Sequence, residues 1–264
     1  MKGLHYLLIG LFLTGCQSTK VLMTDPQVEQ IRAMSNNSVL FPYEAQTPRF
    51  EMVRDGALMY SSQCALKYYY HEINQSLLQN ESLLNRVFNF EPLMLDADVV
   101  PPVVVQSGKT VDKVNAEHLI IADRTFKIIR HGSFTTTPLS WKDYLIENIG
   151  NPPLPDKSLL PGNSVEQEIW MLYVDQGWNA GKEQAFIMFQ NNLAQLVQHY
   201  SGMVTFHRLF QQGLMTAPII QEIENGITMG PDQMSINQKI LAIAEQGFLD
   251  NHHERWHSYM FYTD

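Results

Sequence analysis

From Pro161-Gly162 to Gly213 the apolar positions recur at steps of three or four: Trp178, Gly181, Ala185, Phe189, Leu193, Leu196, Tyr200, Met203, Phe206 and Phe210. That spacing is close to the ~3.6 residues of a helical turn, and it predicts one long amphipathic helix or two collinear ones. Asn163 and Ser164 can cap its start, and Ser164 with Gln167 matches the capping-box pattern. Gly213 suits the stop, because a left-handed residue after the last turn costs glycine nothing, and Pro218 lies beyond it. Gly177, Ala180, Gly181 and Ala185 form a small-residue patch that lets another backbone come close. An uninterrupted helix would run about 70 Å at 1.5 Å per residue. Glycine costs up to ~1 kcal/mol against alanine in a helix, so Gly177–Gly181 and Gly202 are places where the helix can bend. The stripe fits a core helix, or a strut whose apolar face other chains cover. It contains no catalytic pattern.

The same reading extends along the chain. Val28–Met34 reads as a short helix inside an otherwise aperiodic stretch, Gln17–Phe50, with Pro26, Pro42 and Pro48. Glu51–Asn89 reads as helical, with Val53, Ala57, Tyr60, Cys64 and Tyr68 in step and a break at Asn80–Ser82. Pro101-Pro102-Val103-Val104-Val105 is extended, because a residue before proline avoids the helical region. His118–Ala122 and Thr125–Arg130 are β-type runs that read as a hairpin around Asp123-Arg124. Ser133–Thr137 continues extended, Trp141–Ile149 reads as a short helix, and the proline-rich Asn151–Pro161 as a rigid linker. After the long helix, Ala217–Asn225 reads as a connector, and Gly226–Met229 with Asp232–Ala244 as a second hairpin. The expected fold class is α+β: long amphipathic helices packed with a small antiparallel sheet of hairpins, the two hairpins sharing one sheet.

Composition narrows the function. Among 264 residues, 45% are hydrophobic and only 17% charged, with a formal net charge of -9. Phosphate neutralisation needs clustered Lys and Arg, and no such run occurs, so direct nucleic-acid binding is not expected.

The amino terminus carries an address. Lys2 precedes an apolar stretch, Leu4–Leu13, too short for the ~20 residues that span a bilayer and suited to a secretory signal. It ends in Leu13-Thr14-Gly15-Cys16, which resembles the bacterial lipobox. By that resemblance the chain is cut before Cys16, and Cys16 carries the covalent lipid. Several acyl chains, at ~0.8 kcal/mol per buried methylene, anchor stably where one does not. Gln17 follows, not the acidic residue that retains such lipoproteins in the inner membrane, so the expected location is the periplasmic face of the outer membrane. Losing residues 1–15 removes Lys2 and no acid, taking the formal charge from -9 to -10.

One motif invites an enzyme reading. His253-Glu254-Arg255-Trp256-His257 spells HExxH, in which two histidines on one helical face bind zinc and the glutamate acts as base. No long apolar helix surrounds it, Gly247, Asp250 and Asn251 before it read as a turn, and no third ligand follows within a helix. His253 and His257 are therefore weak metal candidates in what reads as an exposed polar tail. The chain has no G-x-S-x-G, P-loop, G-x-G-x-x-G or C-x-x-C, and no enzyme activity or cofactor is expected.

Phe88-Asn89-Phe90, Val100-Pro101-Pro102-Val103-Val104, Ala122-Asp123-Arg124-Thr125-Phe126 and Thr137-Pro138-Leu139-Ser140-Trp141-Lys142-Asp143-Tyr144-Leu145 stand out as motifs. Together they resemble the DotC family, lipoproteins of type IVB secretion and related conjugation systems. Glu168 with Trp170, Gly177-Trp178 with Gly181, Gln184-Ala185, Gly202-Met203 and Gly213 through Pro218 continue it. The likeness runs from about Ala57 to Ala244. It implies a structural, multimeric, ring-forming subunit of an outer-membrane core complex. Its implied partners are a second small lipoprotein and a secretin-like pore subunit that it helps place at the outer membrane. The expected organisation is a signal peptide at 1–15, lipid anchor and tether at 16–50, a DotC-like domain at 51–244 and a tail at 245–264. Trp141, Trp170, Trp178 and Gly181 are the candidate packing or interface positions, the tryptophans read as intrachain core ahead of interface. The alternative is a stand-alone periplasmic lipoprotein that binds peptidoglycan or a small ligand, with a zinc hydrolase last.

Overall fold

The structure is a computed structural model that describes residues 26–34, 48–113, 115, 117–229, 232 and 234–250. Cys16, the signal peptide, and His253 and His257 with the rest of HExxH lie outside the described residues. The architecture is mixed α+β: two long helices packed together, with small two-stranded antiparallel sheets. Contacts divide the chain into two compact units, one within Met1–Leu66 and Asn151–Lys182, the other within Lys67–Gly150 and Glu183–Asp264.

Helix α1 spans Pro26–Arg32, two residues earlier than the sequence pattern suggests, with proline at its first position where no amide hydrogen is needed. Helix α2 runs Pro48–Gln79 and stops at Asn80, and α3 resumes at Glu81–Val87. Helix α5 is a single element, Ser164–Gln211, about 72 Å long at 1.5 Å per residue. Its glycines do not interrupt it. Instead they let other backbone come close. A Cβ on Gly177 would stand 2.1 Å from Ser61 Oγ and 2.6 Å from Leu58 O, and one on Gly181 would stand 2.1 Å from Ser62 O. A Cβ on Gly56 of α2 would lie 3.0 Å from Leu159 Cβ and 3.5 Å from the Trp170 ring. Within this first unit the contacts climb both helices together, so α2 and α5 run parallel. Parallel neighbours cannot be joined by a tight turn, and residues 80–163 make the connection.

The helix ends show their local causes. Asn163, not Ser164, is the N-cap: its Oδ1 accepts from Glu166 N at 2.9 Å, and its carbonyl accepts from Gln167 N. The Ser164/Gln167 capping box does not form, because Ser164 is already the first helical residue behind the Asn163 cap; the Gln167 side-chain amide instead donates to Arg32 O. At the other end Gly213 has φ +69°, Leu214 N donates to Leu209 O, and Gly213 N donates to Phe210 O. These two bonds are the Schellman closure.

The strands of the second unit differ from the sequence expectation. β4 (Leu119–Ala122) and β5 (Thr125–Arg130) do not pair with each other. β5 pairs with β2 (Val103–Ser107), and β4 with β3 (Thr110–Lys113). Ser107 faces Thr125 and Thr110 faces Ala122, so the register continues across the gap. Thr110 Oγ1 and Thr125 Oγ1 bridge it at 2.9 Å. After a bulge at Val103/Val104, β1 (Val99–Val100) pairs with β6 (Ser133–Phe134). The whole is one interrupted ribbon whose ends meet beyond Lys113 and Leu119. A two-residue hairpin loop favours positive φ at both residues, which Asp123-Arg124 would adopt at a cost.

The second arm is longer than the sequence suggests. β7 (Ile219–Met229) pairs with β8 (Met234–Glu245), so most of the expected connector is strand. Gly226 at φ +63° and Asn237 at φ +57° mark bulges on opposite strands, and the register is the same before and after them. The two ribbons form separate ladders, not the shared sheet expected. The Trp141–Ile149 segment is a single turn, α4 (Lys142–Leu145), and Asn151–Pro161 is without regular structure apart from a 3-10 turn at Lys157–Leu159.

Packing sets a first prediction. Gly181→Ala is expected to lower stability by about 1–3 kcal/mol, because Ser62 O and Ala65 cannot retreat without moving α2. Gly150→Ala meets nothing within 4 Å and is expected to leave the denaturation midpoint nearly unchanged. Urea unfolding of both variants checks this.

Candidate functional site

In the first unit one guanidinium gathers four acceptor atoms from three groups. Arg49, in the first turn of α2, donates from Nε to Glu166 Oε1 at 3.1 Å and from Nη2 to Glu166 Oε2 at 2.7 Å. It also donates to Leu160 O at 2.7 Å and to Ser158 O. Glu166 is buried and accepts a further bond from Gly162 N at 2.8 Å. The Arg49 guanidinium, then Gly162 N–H, hold its carboxyl below the usual range, against the opposing effect of burial. A carboxylate in the first turn also suits the positive end of the helix dipole. The arrangement clamps the start of α2, the 3-10 turn and the start of α5 together. Trp170 is fully buried and donates Nε1 to Ile31 O at 2.8 Å, tying α1 to α5. Arg32 adds ion pairs to Asp175 and to Glu29. Trp178 is buried, and Gly181 lies against α2.

In the second unit Trp141 is buried and donates Nε1 to Asn85 Oδ1 at 2.7 Å. It borders an open cleft of about 380 Å³ with Phe88, Asn89, Phe90, Pro138 and Leu139. Behind it stands an aromatic group. Phe90 stacks on Tyr144 at 6.0 Å and meets Tyr200 edge-on at 5.2 Å, while Phe88 meets Tyr200 at 5.5 Å. His199 Nδ1 lies 3.0 Å from Tyr144 OH. Burial, and then the nearby Arg130 charge, hold the His199 imidazole below its ordinary range, and burial pushes the Tyr144 phenol up. Both groups are therefore neutral at pH 7. Along α2, Tyr70 is fully buried, donates to Leu145 O and accepts from Asn192 Nδ2 at 3.0 Å.

The inner face of the first ribbon packs on the end of α5. Val104, Phe206, Leu209 and Met215 form a buried cluster, with Phe126 and Ile128 against it. A Cβ on Gly202 would stand 2.3 Å from Val103 Cγ1, so the third glycine of α5 also serves close approach. Beyond this seat the arms carry apolar side chains in the open. Val111 and Ile121 face each other at 53% and 55% exposure, and Ile223 and Ile240 at 45% and 44%.

Trp170, Trp178 and Gly181 thus belong to the first unit and Trp141 to the second. The open apolar pairs on the arms escaped the sequence reading. Their signal was branched residues facing each other at matched register, legible only once pairing is known. Among the described residues no group of three or more His, Cys, Asp or Glu could hold a metal ion, and no helix is long and apolar enough to cross a membrane. The geometry is that of packing surfaces and clamps.

Residues 47–258 match a family model described as "Type IV secretory system, conjugal DNA-protein transfer". No curated protein matches the chain.

The Glu166 clamp has a pH signature. A carboxyl held below its usual range contributes stability that is present above the unfolded-state pKa and lost as pH falls through the folded-state one. Glu166→Gln is therefore expected to cost about 2 kcal/mol at pH 7. The gap between parent and variant should narrow once the pH drops below 4.5, the ordinary value for this carboxyl. Urea midpoints at pH 7 and pH 3 check it.

Proposed function

The chain belongs to the type IV secretory system, conjugal DNA-protein transfer family, the DotC/TraI family, and from that premise we propose an outer-membrane-anchored scaffold subunit of the secretion core. Membership makes it a component of a type IV secretion or conjugal transfer system, with partners inside that apparatus. The family description names a transfer machine and no reaction.

One sequence observation carries the finer reading: an apolar leader ending in Leu13-Thr14-Gly15-Cys16, followed by Gln17. This pattern supports cleavage before Cys16, lipidation of its thiol and delivery to the outer membrane. The expected tether at 16–50 is shortened, because α1 and Arg49 are held against α5. The residues between Cys16 and α1 then serve as anchor and tether, and α1 with 48–244 as the body that packs among neighbouring subunits. The long clamped helices supply stiffness, and the open arms supply contact surface. On this reading the chain works with a second small lipoprotein to hold a secretin-like pore subunit at the outer membrane, in a multimeric ring. The machine moves DNA or protein, but this chain holds subunits and does not touch nucleic acid. Its net charge of -9 agrees with that division of labour.

Fractionating membranes from bacteria that express the full chain with its secretion partners tests this. The parent protein is expected in the outer-membrane fraction, in a large particle with other secretion subunits after gentle detergent extraction. Cys16→Ser should lose membrane attachment on high-salt washing and leave that particle. Recovery of the parent alone as a small species, or an unchanged distribution of the variant, would overturn the scaffold reading.

A further inference from the structure

The two arms are chemically opposite. Between Val99 and Phe134, Lys and Arg outnumber Asp and Glu five to three, in a chain whose overall formal charge is -9. Lys109, Arg124 and Lys127 of this ribbon are exposed. Between Ile219 and Glu245 the balance reverses, with four acids against one lysine. That lysine, Lys239, is already bracketed by Glu222 and Glu224, two acids to one base on one face. Asp232 near the tip and Glu245 at the root add further exposed negative charge.

Each arm also has the features of an unfinished sheet. Both are two-stranded, and among the described residues their outer edges pair with no other strand. A two-stranded ladder is marginal in water alone, and an open edge is a template for another strand. Both expose facing apolar pairs, Val111 with Ile121 and Ile223 with Ile240. Yet the arms do not complete each other within one chain, although their roots touch: Gln246 Nε2 donates to Gly132 O at 3.1 Å.

We propose that the acidic β7–β8 arm of one copy docks on the basic β2–β5 ribbon of a second copy. Opposite charge selects the partner and steers the encounter, and the open edges and apolar pairs supply the contact. The contact joins unlike surfaces of the same chain, so it closes reciprocally in a dimer or successively in a ring. It goes beyond the anchoring reading and does not depend on the lipid.

Sedimentation of the detergent-extracted full chain tests it, using two reversals at exposed positions. Glu222→Lys with Glu224→Lys makes the acidic arm basic, and Lys109→Glu with Lys127→Glu makes the ribbon acidic. The parent is expected to self-associate, more weakly as salt is raised. Each reversal alone should weaken self-association about tenfold or more. Mixing the two reversed proteins, or combining all four changes in one chain, should restore it, which a merely unfolded arm could not do. A monomeric parent at tens of micromolar, indifference to the reversals, or no recovery on mixing would each overturn the proposal. Membrane fractionation of the same variants reads the anchoring separately, so failure here leaves that result intact.

Discussion

The close approach of α2 and α5 is the constraint on which the rest depends. Gly177 and Gly181 leave no room for a Cβ against Leu58, Ser61 and Ser62. Backbones at that distance exchange many dispersion contacts, each tiny and collectively large. Because the helices are parallel, the chain between them must return to the starting end. That requirement accounts for the long intervening stretch with its ribbon, its single turn and its proline-rich segment. Gly56 shows the same economy of space from the other helix, where Leu159 and Trp170 crowd it.

Apolar packing alone does not fix which parts of two long helices meet, since a stripe can slide by a turn. Polar anchors remove that freedom. Arg49 addresses Glu166 with two nitrogens and carries the neighbouring carbonyls with it. Farther along, Tyr70 of α2 accepts from Asn192 Nδ2 of α5. A buried donor left unmade costs about 1–3 kcal/mol, so each bond penalises a shifted register more than it rewards the correct one. The Phe90–Tyr144–Tyr200 group seats the segment between the helices on α5 through ring geometry.

A component of a transfer machine has to be stiff in one place and adhesive in another. Helix pairs clamped at glycines and charges supply the first property. The arms supply the second, with branched apolar residues left open where a monomer would be expected to hide them. This distribution agrees with the family assignment and with a chain that has partners inside a larger apparatus.

The sequence by itself determined that the long helices exist and several of their ends. Period, cap and stop are local, so Asn163, Gly213 and the break at Asn80 were legible in a few residues each. The family was legible too, because a segment such as Thr137–Leu145 is a contiguous string that can be read without knowing what it touches. Strand pairing was not. Leu119–Ala122 and Thr125–Arg130 look like partners by proximity, but each pairs with a segment on the other side of the ribbon's tip. Ile219–Asn225 read as connector because a strand open on both faces has no buried side to impose a clean alternation. The capping box failed because Asn163 took the cap position one residue earlier, while the Gln167 amide donates to Arg32 O, far away in sequence. Periodicity records which faces must leave water. Which surfaces meet, and which stay open, is decided by contacts between residues distant along the chain, and only the tertiary structure holds them.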